Sequence, residues 1–66
     1  MTQVEFLEML FNDCGFSLQG RRIWMSQALN RSVQHTDELT TAERAYLIDR
    51  LKTIREDIEL RKKAGE

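Results

Sequence analysis

Three arginines and a tryptophan form the most chemically suggestive grouping in the chain: Arg21, Arg22 and Arg31 flank Trp24. A guanidinium beside an apolar pocket suits capture of an acidic-aromatic peptide tail, the charge meeting carboxylates and the cavity a ring. Arg44, and more weakly Arg50, can complete a basic edge. The plain alternative makes the arginines a solvated face and Trp24 part of the core. The expected partner-binding set is Arg21, Arg22, Trp24, Arg31 and Arg44.

Catalysis has no comparable foothold. Cys14 and His35 are the only residues of their types, so neither a disulfide within the chain nor a structural zinc site can form from them. Cys14 reads as a small core filler and His35 as a solvent-exposed loop residue. No glycine-rich phosphate loop and no paired carboxylates in an evident cleft are present. The expectation is a non-enzyme that needs no metal or cofactor.

The elements that must position these residues are helices. The 66 residues include no proline and three separated glycines, which reads as one domain, residues 1–66, without linker or repeat. Helix one is expected over 2–14, opened by a Thr2-Gln3-Val4-Glu5 capping box. Its apolar face is Val4, Leu7, Phe11 and Cys14, widened by Phe6 and Leu10. Gly15 suits the left-handed position after it, letting Phe16 fold back onto Phe11.

Helix two is expected over 18–31 from Ser17 as N-cap. Leu18, Met25 and Leu29 form its apolar line, broadened by Ile23, Trp24 and Ala28, and Gly20 weakens it by roughly 1 kcal/mol relative to alanine. A polar connection anchored by Val33 and Leu39 leads to the capping box Thr40-Thr41-Ala42-Glu43. Helix three follows over 41–63 with the stripe Leu47, Ile48, Leu51, Ile54 and Ile58. At roughly 34 Å it outreaches the others, so its last turns project, supported by Asp57–Arg61 and Glu59–Lys63 pairs. The fold class is all-α, a small three-helix bundle with a long C-terminal helix. The stripe of helix three also has the steps of a coiled-coil seam, so the chain reads as a monomer or a dimer through that helix, with core use preferred.

Net charge is −1, arranged in blocks: −3 over residues 1–16, +3 over 17–36, −3 over 37–43 and +2 over the remainder. A domain living on phosphate contacts is normally basic overall, so weak or no autonomous nucleic-acid binding is expected. The longest apolar runs, Met9-Leu10-Phe11 and Ile23-Trp24-Met25, are too short to cross a membrane. With a lone thiol, these features imply a soluble cytoplasmic protein.

From Ser26 the order of positions is specific. Ser26-Gln27 ends the second helix, Leu29-Asn30-Arg31 and Val33 follow, then Glu38-Leu39-Thr40-Thr41-Ala42-Glu43, then Ala45, Leu47, Leu51 and Lys52. This pattern resembles the C-terminal helical module of phage single-strand annealing recombinases of the lambda Red beta type. Helix one matches that module only in amphipathic character. The resemblance implies a protein-docking appendage rather than a DNA-pairing domain. Its partners would be an exonuclease or the acidic C-terminal tail of a host single-strand-binding protein.

The 66 residues themselves hold no large annealing core ahead of the module. Read as a complete gene product, the chain is expected to be an adaptor or a competitor; read as an excised piece, its parent anneals DNA. Two rival readings remain. One is a small phage inhibitor of an unrelated host enzyme. The other is a helix-turn-helix regulator presenting Gln19, Arg21, Arg22, Gln27 and Asn30 to a major groove. Against the latter stand bulky Phe11 before the Gly15 turn, Arg21 where an aliphatic is usual, and the slightly acidic charge. Helices two and three cannot form the motif, because their connection of roughly eight residues exceeds the usual three to four.

Overall fold

The computed structural model describes residues 1–65. Among them are three α-helices and no strand: α1 (Gln3–Asp13), α2 (Leu18–Leu29) and α3 (Thr41–Ala64), with a short 3-10 turn at Thr36–Glu38. The chain is therefore the expected small three-helix bundle with a long third helix. No described helix is long and apolar enough to cross a membrane.

Each junction has an identifiable chemical cause. At the start of α1 the Thr2 hydroxyl accepts from the Glu5 N–H. The second half of the expected capping box does not form: the Glu5 carboxylate accepts from the Thr2 hydroxyl instead of from its backbone. At the other end Gly15 adopts φ 76°, a conformation that costs glycine nothing. The Gly15 N–H donates to the Asn12 carbonyl and the Phe16 N–H to that of Phe11, a complete Schellman closure. Phe16 then stacks on Phe11 with ring centroids 5.4 Å apart, as the spacing predicts.

Helix α2 starts where Ser17 Oγ accepts from the Gly20 N–H at 3.0 Å. A Cβ on Gly20 would lie 3.1 Å from that oxygen, so the glycine that weakens the helix also leaves room for its cap. The helix ends at Leu29, earlier than expected, because Asn30 turns left-handed at φ 54°. Asparagine tolerates this conformation better than most residues. The Arg31 N–H then closes on the Ser26 carbonyl.

The core consists of Leu7, Leu10, Phe11, Met25, Val33, Leu39, Leu47 and Leu51. Burying each such side chain is worth roughly 1.5–3 kcal/mol. Leu47 and Leu51 are fully enclosed and Ile54 packs against them, so the α3 stripe serves the core rather than a dimer seam. Two predicted core positions are not core: Leu18 is 70% exposed and Ile23 51%. Leu18 opens α2 at the edge of the bundle, and Ile23 lies on the flank of α2 turned from Met25. Cys14 packs at the core edge, where burial, then Asp13, push its thiol pKa up; a buried thiol is a poor nucleophile. His35 is exposed, as expected.

The connection between α2 and α3 is held by polar contacts. Ser26 Oγ accepts from the Val33 N–H at 3.1 Å and donates to its carbonyl, pinning a buried valine to α2. The Glu38 carboxylate accepts from the N–H groups of Gln34 and His35, both at 2.7 Å. Thr40 and Glu43 form the predicted capping box, at 3.1 Å and 2.9 Å. Arg31 completes the set by gripping Glu43 bidentately at 3.0 and 2.7 Å and donating to the Glu38 carbonyl. Along α3, Arg61 pairs with Asp57 at 3.2 Å; the expected Glu59–Lys63 pair is absent among the described residues.

These contacts predict an acid response. The Arg31 guanidinium, then the Thr40 N–H, hold the Glu43 carboxyl at about 2 against an ordinary 4.5. The His35 and Gln34 N–H groups lower that of Glu38. Both carboxyls bind protons less readily folded than unfolded, so each stabilises the fold above the ordinary carboxyl range and loses that contribution as pH falls; for Glu43 the loss runs from about 4.5 down towards about 2. Thermal melts followed by circular dichroism should show the midpoint dropping across that window. Glu43→Gln should lower the midpoint at neutral pH and flatten the acid slope.

Candidate functional site

The structure separates the residues that the sequence groups. Adjacent helix positions differ by about 100°, so residues two apart face nearly opposite ways. Arg22 and Trp24 accordingly lie on opposite flanks of α2. Arg22 borders a small hollow of about 80 Å³ whose lining also includes Arg21, Glu8, Gln34 and His35. Trp24 faces the other side, towards α3.

Arg21 turns inward between them. Its guanidinium lies over the Phe11 ring, 5.3 Å from the centroid, and its Nη2 donates to Asn12 Oδ1. Its Nε is buried without a partner. Arg31 is committed to Glu43 and the Glu38 carbonyl. Arg44 sits on the far side of α3, its Nε donating to Gln3 Oε1 at 3.3 Å. Of the expected partner-binding set, Arg21 and Arg31 therefore hold the fold, Arg44 joins α3 to α1, and Arg22 faces away from Trp24.

What surrounds Trp24 is a different group. Between α2 and α3 an open groove of about 300 Å³ is lined by Trp24, Gln27, Ala28, Tyr46 and Arg50. It continues past Trp24 and Gln27 into a shallower, mainly apolar slot of about 400 Å³ lined by Gly15, Phe16, Ser17, Gly20 and Ile23. Trp24 is fixed between the two by edge-on contacts with Phe11 at 5.7 Å and Phe16 at 5.8 Å. The absent side chain of Gly20 keeps the slot open. Tyr46 is 47% exposed and carries Arg50 over its ring at 5.9 Å. Arg50 has no carboxylate within ion-pair distance among the described residues.

The groove offers flat apolar surface, two aromatic walls, an amide and one guanidinium with no carboxylate partner among the described residues. Its lining contains no carboxylate, thiol or imidazole to move a proton. No cluster of three metal-ligating side chains occurs among the described residues. Such a lining can bind an apolar side chain beside a carboxylate.

Tyr46 was missed and Arg50 undervalued because both lie outside the apolar stripe of α3. The signal available was their four-residue spacing, which puts them on one helix face. Nothing in the sequence states that this face borders Trp24, because that depends on the path of the connection from 30 to 40.

No protein-family model, curated protein or solved structure matches the chain.

The two neighbouring arginines should respond differently to truncation. Arg21→Ala removes a cation–π contact and the aliphatic cover of Phe11, for a loss of about 1 kcal/mol or more. Arg22→Ala should change stability by less than about 0.5 kcal/mol. Urea unfolding monitored by Trp24 fluorescence separates them; equal losses would contradict the inward placement of Arg21.

Proposed function

We propose that the chain is a non-catalytic docking module of phage-type DNA replication or recombination. Its ligand is the acidic C-terminal tail of a single-strand-binding protein, held in the α2/α3 groove. The observation that carries this reading is the Trp24–Tyr46 groove with Arg50 at its edge, free of any carboxylate partner among the described residues. An apolar side chain of the tail lies against Trp24, Ala28 and Tyr46, and a carboxylate meets Arg50 in a charge-assisted hydrogen bond. Gln27 supplies neutral hydrogen bonding on the α2 wall.

The resemblance to the recombinase module supports the choice of partner, and its residues acquire physical roles here. Ser26 pins Val33, Leu39 is buried, Thr40 and Glu43 cap α3, and Arg31 bonds Glu43 and the Glu38 carbonyl. Gln27 lines the groove. Residues of the motif thus contribute Gln27 to the groove and build the turn that joins its two helices.

A 15N–1H titration of the labelled protein with that tail peptide tests the reading. Saturable shifts should cluster at Gln27, Ala28, Tyr46, Arg50 and the Trp24 indole. Arg50→Ala should weaken binding roughly tenfold, the loss of one charge-assisted contact. Added salt should weaken it only modestly. A flat titration at millimolar peptide removes this partner. Shifts centred on Arg22 and His35 remove this site. Steep salt-dependent binding to duplex DNA would favour the groove-reading regulator instead.

A further inference from the structure

A second face of α3 lies outside the core and extends beyond the peptide groove, with which it shares only Tyr46 and Arg50. Tyr46, Arg50, Thr53, Asp57, Leu60 and Ala64 follow one another at steps of four, three, four, three and four residues. That alternation keeps side chains in line along a helix paired with another helix. It is separate from the Leu47–Leu51–Ile54 stripe, which the bundle buries. Every residue of this second line is exposed, including Leu60 at 64%, a large apolar side chain on the projecting part of α3.

We propose that this face pairs, antiparallel, with the same face of a second copy of the chain. The charges choose the direction. Side by side and parallel, Arg50 would meet Arg50 and Asp57 would meet Asp57. Reversed, with the axis between Thr53 and Asp57, Arg50 comes within a turn of Asp57 of the second copy, sharing that carboxylate with the Arg61 that pairs with it in its own chain, and the contact repeats by symmetry. The same register sets bulky Tyr46 opposite small Ala64, and Leu60 against the aliphatic stem of Arg50. On the flank of the seam, Asp49 of one copy faces Lys63 of the other. Glu56 alone meets its own symmetry mate.

With charged residues on the seam and one repulsive contact at its centre, the association is weak, below that of a standard interface of roughly 1,200 Å² or more. Its consequence is regulatory. Tyr46 and Arg50 belong to both surfaces, so self-pairing covers the α3 wall of the groove and excludes the peptide. That last step rests on the docking reading above; the pairing itself does not.

Sedimentation equilibrium of the intact chain from about 10 μM to about 1 mM, a range spanning weak association, is the test. The weight-average mass should climb from 7.8 kDa towards twice that value. Leu60→Glu should hold it at the monomer value while keeping the tail-peptide groove intact, since Leu60 lies outside it, and should tighten apparent peptide binding at concentrations where the unmodified chain pairs. Arg50→Asp and Asp57→Arg should each abolish the rise, and the double exchange should restore it; circular dichroism confirms that each variant stays helical. A constant mass for the unmodified chain, a Leu60→Glu variant that still associates, or a double exchange that stays monomeric overturns the proposal. A rising mass with no peptide binding would leave the pairing intact and remove the docking reading instead.

Discussion

Arg31 bridging to Glu43 is the contact on which the rest of the architecture turns. Glu43 is shared: one carboxylate caps α3 through the Thr40 N–H and receives the Arg31 guanidinium from the end of α2. Exposed ion pairs usually contribute little, because long side chains lose freedom to make them. This one is bidentate and built on a carboxylate already fixed by its cap. Most of the ordering cost is therefore met before the arginine arrives. The pair fixes where α3 begins relative to α2, and so fixes the groove between them.

The hydrophobic effect alone would leave that geometry loose. In 66 residues the buried side chains form one small cluster, and a domain of this size has little stability to spare. Along α1 and α3 the packing is extensive, with Leu7, Leu10 and Phe11 against Leu47 and Leu51. Helix α2 contributes Met25 as its one fully buried side chain. Its position depends on the Schellman turn at Gly15, on the Phe11–Phe16–Trp24 ring cluster, and on the polar connection that holds Val33 and Leu39 in the core. Trp24 is thus a structural residue with one face left free, which is what a rigid wall of a binding groove requires.

Local chemistry made the helices legible. Thr2, Ser17 and Thr40 sit at their expected N-caps, and Gly15 with Phe16 closes α1 as the spacing demands. The third helix and its buried stripe follow from period and length. What the sequence did not disclose depends on distance along the chain. Arg21, Arg22 and Arg31 look equivalent as cations, yet one lies on an aromatic ring, one faces solvent and one locks a turn. Leu18 and Ile23 fit the apolar pattern of α2, but α2 meets its neighbours along too narrow a strip to cover them. The groove itself needs the tertiary path from Asn30 to Thr40, where only Val33 and Leu39 gave warning of burial.

A double-mutant cycle on Arg31 and Glu43, read by thermal unfolding at neutral pH, tests the central claim most directly. If the pair sets the junction, Arg31→Met and Glu43→Gln each lower the midpoint, and the double variant loses far less than the two losses added together. Strictly additive losses, or an Arg31→Met variant as stable as the unmodified chain, would show that the junction stands without this contact.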